Sequence, residues 1–301
     1  MNRTQIFAAG LFLSFVGRAT ATTPDSRIAN FSCLATVNSG DPTPLTLGFV
    51  QISADPQPLG EPLLIRAVGP SLAEFGISSP LADPEMTMWK NGQDFGPMTG
   101  YDISSVFAAE ASGAFPLVEG DADSALMYGL AQGNYTIQIG SATNLNGKVL
   151  GEIYNQNLSD PLNYLSNLSA LSYVHASSSS TLGFVLVGPV SRTILIRAVG
   201  PALSAFGVPQ TMPDPMIVLY GSYNGARGVI ASNAGWLGNL EVASASSTVG
   251  AFSLSQGSKD AAILVTLQPG AYTFTLSSIS GAAGTVLGEI YLLPKALNSR
   301  Q

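Results

Sequence analysis

The chain has 301 residues, enough for two ordinary domains, and only 10% of them are charged. A net charge of −7 with scattered Lys and Arg argues against nucleic acid as a partner, because phosphate contacts require clustered cations. After the N-terminus no apolar run approaches the roughly 18 residues that a membrane-spanning helix needs. Low charge combined with many Gly and Pro residues is typical of extracellular β-sandwich proteins.

The N-terminus has the pattern of a secretory signal peptide over residues 1–21. Arg3 supplies the positive charge, residues 6–16 form a short apolar core, and residues 19–21 give an A-x-A cleavage pattern. We therefore expect a soluble protein that is secreted, periplasmic or held at the cell surface.

Two copies of one segment follow, and their motifs return in the same order. Four pairs of segments match. The members of the first two pairs stand 131 residues apart and those of the last two stand 137 apart, so the second copy carries about six extra residues. The matched segments are 64–70 with 195–201, 83–84 with 214–215, 113–115 with 250–252, and 151–154 with 288–291.

Each copy is long enough to fold as a domain of its own. The sequence predicts a first domain over 22–154, a linker over 155–164 and a second domain over 165–301. We expect each domain to be a β-sandwich, so the predicted fold class is all-β. No segment shows a sustained helical period of 3.6 residues.

Within the first copy, residues 63–68 are apolar on both faces except for Arg66, as in a buried strand. Ser71 and Glu74 then have the spacing of a helix capping box, and Gly76 provides a left-handed stop after one helical turn. Residues 135–139 alternate apolar with polar, which is the period of a half-buried strand.

The sulfur chemistry is limited. Cys33 is the only cysteine, so the chain has neither a disulfide framework nor a cysteine-based zinc site. Because Cys33 lies in an apolar, strand-like stretch, we interpret it as a small buried hydrophobe.

The motifs resemble a repeat of exported proteins from Verrucomicrobia-type bacteria. They are an opening Arg-Ile-Ala-Asn-x-Ser, a central Leu-Ile-Arg-Ala-Val-Gly-Pro-Ser-Leu-x-x-Phe-Gly, an Asp-Pro, a Gly-Ala-Phe and a Pro-Gly-x-Tyr-Thr. In this chain they stand at 27–32, 64–76, 83–84, 113–115 and 269–273. The second copy lacks the Arg-Ile-Ala opening, and the first has Gln132-Gly133 in place of Pro-Gly. The closing strands are also similar, more weakly, to β-sandwich modules of secreted hydrolases. The resemblance implies export and fold rather than an activity.

The clearest polar signals are two cations in otherwise apolar strands. Each needs a carboxylate partner, because an unpaired buried charge costs several kcal/mol. We expect structural ion pairs of Arg66 with Glu152 and of Arg197 with Glu289, with the aspartates of the Asp-Pro motifs as the next candidates. An Arg that anchors an acidic ligand is the alternative. A glycosidase pair formed by the two glutamates is disfavoured, since they occupy equivalent places in separate copies.

Other polar groups are interpreted as structural or solvated. Glu119, Asp121 and Asp123 resemble hard-cation ligands in a turn, but the second copy keeps only the last carboxylate, so a solvated loop is favoured over a calcium site. His175 precedes a run of serines without a nucleophile motif, which disfavours a catalytic triad. We expect no metal, no cofactor and no enzymatic activity.

Aromatic side chains are the remaining candidates for ligand binding. Trp236 lies in a Gly- and Asn-rich loop, where an exposed ring would stack on sugars and a packed one would anchor the loop. Tyr220, Tyr223 and Tyr101 are the other candidates. The sequence predicts an exported structural or adhesive module that contacts surface proteins, with carbohydrate binding through exposed aromatics as the alternative. The oligomeric state stays open.

Overall fold

A computed structural model describes residues 25–53, 60–160, 163–223 and 226–294. The predicted signal peptide lies outside these residues. The described chain is all-β, with sixteen strands in two eight-stranded sheets whose neighbouring strands pair antiparallel. No helix among the described residues has the length and apolar character to cross a membrane.

Residues 25–160 are called the first half below, and their described part contains one α-helix and eight strands. The strands are β1 (Arg27–Val37), β2 (Leu45–Ser53), β3 (Glu61–Val68), β4 (Pro84–Lys90), β5 (Gln93–Met98), β6 (Ser124–Leu130), β7 (Gly133–Ser141) and β8 (Gly147–Asn155), and the helix is α1 (Ile103–Ser112).

The second half, residues 163–294, has the same number and order of elements. Its strands are β9 (Asn163–Val174), β10 (Ser180–Val187), β11 (Arg192–Val199), β12 (Pro215–Tyr223), β13 (Ala226–Asn233), β14 (Ala261–Leu267), β15 (Gly270–Ser278) and β16 (Gly284–Leu292), and the helix is α2 (Leu240–Thr248).

The strand order within each half is that of a jelly roll. In the first half one sheet runs β1-β8-β3-β6 and the other runs β2-β7-β4-β5. The second half has the same two orders with every strand number raised by eight. Eight antiparallel strands wound in this way place two four-stranded sheets face to face around an apolar core.

The two jelly rolls are joined edge to edge in both sheets. β1 pairs with β10, where Phe31 lies opposite Phe184, and β2 pairs with β9, where Leu47 lies opposite Ala170. A single apolar cluster between the sheets includes residues of both halves. The sequence predicts two sandwiches in tandem and leaves the packing between them open. The structure gives them common sheets and a common core.

The predicted linker is correspondingly shorter in the structure. Asn155 belongs to β8, and Asn163 and Tyr164 belong to β9, so only residues 156–162 connect the strands. Sequence composition cannot reveal this, because polar residues at strand ends and in linkers are alike.

Close contact between the sheets explains the glycine of the repeated Gly-Glu-Ile-Tyr motif. A Cβ atom on Gly151 would lie 2.6 Å from the Ile139 side chain and 2.9 Å from that of Leu47. A Cβ on Gly288 would meet Leu276 at 2.7 Å in the same way. A side chain at either position would therefore force these side chains of the opposite sheet to move.

The two α-helices correct the sequence prediction, which contains no helix beyond one turn. α1 is capped by Asp102 and stopped by Gly113 in the left-handed conformation, and α2 is capped by Asn239. The residues that α1 buries are the small Ser105, Ala108 and Ala109. A helix that packs on such residues has no stripe of large apolar side chains, so the period of 3.6 is not visible in the sequence.

The short turn after β3 is a 3₁₀ helix over Pro70–Phe75, and it ends at Gly76 with φ of 73° as predicted. The predicted capping box is wrong, because the N-cap residue is Gly69 and no capping hydrogen bond comes from a side chain at that position. Ser71 instead donates its hydroxyl hydrogen to Asp123, a contact between residues that are distant in sequence.

Candidate functional site

The repeated motifs of the first half converge on one buried cation beneath α1. Arg66 of β3 is fully buried and lies beside Glu152 of β8, with Nε at 2.8 Å and Nη2 at 2.5 Å from Oε2. Its Nη1 donates to the carbonyl oxygen of Phe115 at 2.7 Å. The guanidinium also lies 4.5 Å from the centroid of the Phe115 ring. The structure thus brings the predicted ion pair together and surrounds it with aromatic rings.

The pairing of β3 with β8 and the sheet face on which these side chains lie explain this arrangement. Arg66 lies directly opposite Glu152 in the β3–β8 pair, and both side chains lie on the sheet face away from the shared core. Tyr154, two residues after Glu152 and so on the same face, donates its hydroxyl hydrogen to Glu152 Oε1 at 2.8 Å. Burial, together with the charge of Glu152, raises the pKa of Tyr154 far above its ordinary value.

The second half contains the same cluster. Arg197 Nε lies 2.8 Å from Glu289 Oε2, Nη1 donates to the carbonyl of Phe252 at 2.7 Å, and Tyr291 donates to Glu289. Burial raises the pKa of Tyr291 in the same manner. Both predicted ion pairs are therefore formed, at equivalent places in the two halves.

The Asp-Pro aspartates, which were the next candidates as partners for the two cations, do not lie in these clusters. Asp83 accepts hydrogen bonds from Ser141 and Thr143, and Asp214 accepts them from Ser278 and Ser280. Burial tends to raise the pKa of Asp83, but these hydrogen bonds outweigh it and hold the pKa below its usual value. Each aspartate therefore closes the loop between the last two strands of its half.

The predicted acidic loop does not behave as one group. Asp123 is fully buried and accepts hydrogen bonds from the backbone N–H groups of Gly69 and Ser71, so it stabilises the turn after β3. This corrects the prediction that it lies in a solvated loop. Its counterpart Asp260 bonds to Gly200 in the same way. No group of three His, Cys, Asp or Glu residues in the described ranges could hold a metal ion.

The Trp236 ring is buried and largely shielded from solvent. Only 7% of it is exposed, and its indole N–H donates to the carbonyl of Ser255 at 3.1 Å and to the hydroxyl of Ser258 at 3.0 Å. It belongs to an apolar cluster beneath α2 that also contains Val242 and Leu254. The structure therefore places this ring as an anchor of its loop.

The tyrosines are placed differently. Tyr101 is half-buried and donates to the carbonyl of Val118 at 3.1 Å, and Val118 stands 137 residues before Ser255. Tyr101 thus anchors the first half's loop as Trp236 anchors that of the second. Tyr220 is half-buried in β12, and Tyr223 ends the same strand with a side chain outside the described part. Of the described rings, Tyr101 and Trp236 lie in different halves, each in its own loop.

A cavity of about 690 Å³ lies between α1 and the loop that follows it. Arg66 lines its floor, Tyr101 lines it at the start of α1, and three acidic residues, Asp102, Glu110 and Glu119, also line it. Burial raises the pKa of Tyr101, and the charges of Asp123, Glu119 and Asp121 raise it further. This volume is within the range of small-molecule and side-chain binding sites.

The face of α1 beside the cavity carries large exposed apolar side chains. Ile103 is 66% exposed, Val106 is 42% exposed and Phe107 is 62% exposed. These residues have i, i+3 and i+4 spacing and therefore share one face of the helix. On α2 the matching positions hold Leu240, Ala243 and Ser244, so the first half has the larger apolar face.

The nucleophilic side chains discussed above are held in unreactive settings. Burial raises the pKa of the Cys33 thiol to about 12, so it is protonated at neutral pH. His175 Nε2 lies 3.0 Å from Asp41 and 2.6 Å from the Asn38 amide, in a contact between the loop after β9 and the loop after β1. This contact links the two halves near their shared edge.

No family model matches the chain, and a search of curated proteins likewise finds no match.

Three features of the site were not predicted from the sequence. They are the cavity, the apolar face of α1, and the aspartates that bind the turns after β3 and β11. The recurrence of Asp123 as Asp260 at the 137-residue offset was a usable signal, since a buried structural carboxylate recurs with its turn.

Proposed function

We propose that this protein is exported and acts as a non-enzymatic structural or adhesive module at the cell surface or in the extracellular space, where it contacts other proteins. The observation that carries the proposal is the exposed apolar face of α1, formed by Ile103, Val106 and Phe107. Contiguous apolar surface of this kind typically marks a protein contact. Export rests on the predicted signal peptide and on the resemblance to exported bacterial repeats.

The use of charged groups inside the fold supports a structural rather than a catalytic role. Two buried ion pairs form, Arg66 with Glu152 and Arg197 with Glu289, and each arginine also donates to a backbone carbonyl. Catalysis requires groups that are free to meet a substrate. Fusion of two sandwiches into one body further suits a protein whose role is to hold a surface rigidly.

Binding of the fluorescently labelled protein to intact cells of its source organism tests the proposal. We expect binding that is lost after the cells are treated with protease, because the partner is a protein. Phe107→Asp should reduce binding strongly, since a charge would disrupt the apolar face. Leu240→Asp, an exposed helix position of the second half, is the matched control and should bind normally.

The same assay separates the carbohydrate alternative. Binding that survives protease and is competed by soluble polysaccharide would contradict the protein-contact proposal and favour a sugar-binding module. The buried position of Trp236 does not favour that outcome, because sugar stacking requires an open aromatic face. Trp236→Ala, tested on a glycan panel, provides the direct check on this residue.

A further inference from the structure

The cavity beneath α1 suggests how the proposed contact with a protein partner is made specific. We propose that it receives an aromatic anchor side chain of the partner, with a basic residue next to that anchor reaching the carboxylates around the mouth. This inference rests on the proposed function. It goes further by naming the chemistry that the partner must present.

The volume and walls suit an aromatic ring. The cavity holds about 690 Å³, and Val106, Ala109, Ala114 and Leu117 provide apolar wall surface. Aromatic anchors in such pockets supply much of the binding energy of protein interfaces. The exposed face of α1 continues this apolar surface beyond the mouth, so a partner segment would cover both together.

The cation at the floor of the cavity favours an aromatic side chain as the anchor. Arg66 lines the cavity while its charge is balanced by Glu152, and the guanidinium already contacts the ring of Phe115. Because Arg66 is fully buried, an aromatic ring in the cavity would add to the aromatic surroundings of this cation without displacing its present partners.

The second half supplies a precedent for an aromatic ring at this corner of the fold. There the chain seats its own Trp236, whose N–H reaches Ser255 and Ser258. These residues stand 137 positions after Val118 and Asp121 of the first half. Where the second half places an indole, the first half has the smaller Tyr101, which remains half-buried beside the cavity.

The negative charge at the opening of the cavity favours a basic residue next to the partner's aromatic anchor. Glu110 and Glu119 line the cavity and are exposed, and neither forms an ion pair within the described residues. A Lys or Arg beside the anchor would neutralise them, whereas an acidic residue would be repelled. Complementary charge of this kind contributes mainly to the choice of partner.

Three short capped peptides test the inference on the whole protein by ligand-observed NMR, which detects weak binding. They are acetyl-Lys-Trp-Lys-amide, acetyl-Glu-Trp-Glu-amide and acetyl-Lys-Ala-Lys-amide. We expect the first to bind and the third to show no binding. The acidic peptide should bind about tenfold more weakly, as expected for the loss of two solvent-facing ion pairs.

Two variants locate the binding. Ala109→Leu places a larger side chain at the cavity wall and should abolish binding, with thermal unfolding used to show that the variant is folded. Glu110→Gln with Glu119→Gln removes charge from exposed positions and should lower the affinity for the basic peptide about tenfold. Glu74→Gln removes one exposed carboxylate that is not part of the cavity and is the control.

The results distinguish this inference from the proposed function. Equal affinity for all three peptides, or binding unaffected by both cavity variants, would overturn the anchor model. If the Ala109→Leu protein also binds protease-sensitive sites on cells normally, the anchor model fails while the proposed function stands. If the unmodified protein fails to bind cells in a protease-sensitive manner, the proposed function itself fails.

Discussion

At the scale of single residues, the repeated motifs are the parts of one buried cluster per half. Arg66, Phe115, Glu152 and Tyr154 come from three separate motifs and meet beneath α1. Gly69 follows Arg66 in the same motif, and its backbone N–H donates to Asp123 at 2.7 Å. Each motif is therefore understood through its tertiary partners rather than through its local conformation.

Removal of one member of the ion pair should destabilise the protein strongly. Arg66→Met leaves Glu152 buried without its cation, and we expect a loss of about 3–5 kcal/mol in the free energy of unfolding. The double variant Arg66→Met with Glu152→Met should be more stable than the single one, because no uncompensated charge remains. Urea unfolding measures both. A single variant within about 1 kcal/mol of the unmodified protein would contradict this account.

Gly69 should tolerate no side chain. A Cβ atom there would lie 2.0 Å from the carbonyl oxygen of Leu81, which is a backbone atom and cannot rotate away. We expect Gly69→Ala to cost about 3 kcal/mol, again measured by urea unfolding. Gly140→Ala is the control, since no atom lies within 4 Å of the added Cβ. Equal stability of the two variants would show that the turn after β3 can shift.

At the scale of elements, the two helices are equivalent in place but different in surface. Both begin at a side-chain cap, Asp102 for α1 and Asn239 for α2, and both cover a buried Arg–Glu pair. The first is more apolar on its outer face and borders the cavity, while the second covers a cluster that includes Trp236. The framework is thus repeated, and the difference lies in the surface that each half offers to a partner.

The cap of α1 should make its stability depend on pH. Hydrogen bonds from Ser104 and Ser105 lower the pKa of Asp102, so its stabilising effect is present above the ordinary Asp pKa and is lost as the pH falls through the lowered pKa. Asp102→Asn keeps a good cap without a titrating group. Relative to this variant, we expect the unmodified protein to lose stability on acidification below about pH 4.

The reverse substitution in the second half is the matched control for this prediction. Asn239→Asp should introduce the same loss at low pH, while the unmodified Asn239 cap should not titrate. Urea unfolding at neutral and acidic pH gives the free-energy differences. A difference between protein and variant that does not change with pH would contradict a stabilising role for the ionised Asp102.

At the scale of the whole molecule, the pairing of β1 with β10 and of β2 with β9 decides the architecture. Both sheets continue across the joint, and Arg192 adds an ion pair with Asp25 at 2.7 Å near the same edge. The first half on its own would also leave the edges of β1 and β2 open, and open strand edges are sites of association and aggregation. The joint therefore protects the edges that each half would otherwise leave unpaired.

This shared core should make the two halves unfold together. Each half contains one tryptophan, Trp89 in the first and Trp236 in the second, so Trp236→Phe and Trp89→Phe give a fluorescent probe for each half separately. We expect urea midpoints measured in the two variants to coincide once the small effect of each substitution on total stability is subtracted. Two separate transitions would show that the halves are independent domains joined only at their edges.

The all-β class, the strands around residues 63–68 and 135–139 and the stop at Gly76 could be predicted, because alternating burial and glycine turns are local properties. The partner of Arg66 was also foreseen, since a cation in an apolar strand requires a carboxylate. α1 and α2 could not be predicted, because they pack on small residues.

The tertiary structure alone decided the rest. Whether two repeats form two separate sandwiches or share their sheets depends on which strand edges pair. That pairing is made by backbone groups, which are the same in nearly every residue, so the sequence does not show it. The burial of Trp236 and the cavity beside Tyr101 likewise arise from how loops and helices pack over the sheets. Sequence periodicity reports the environment of each residue along its own strand, whereas pockets and strand pairings are formed by residues distant in the chain.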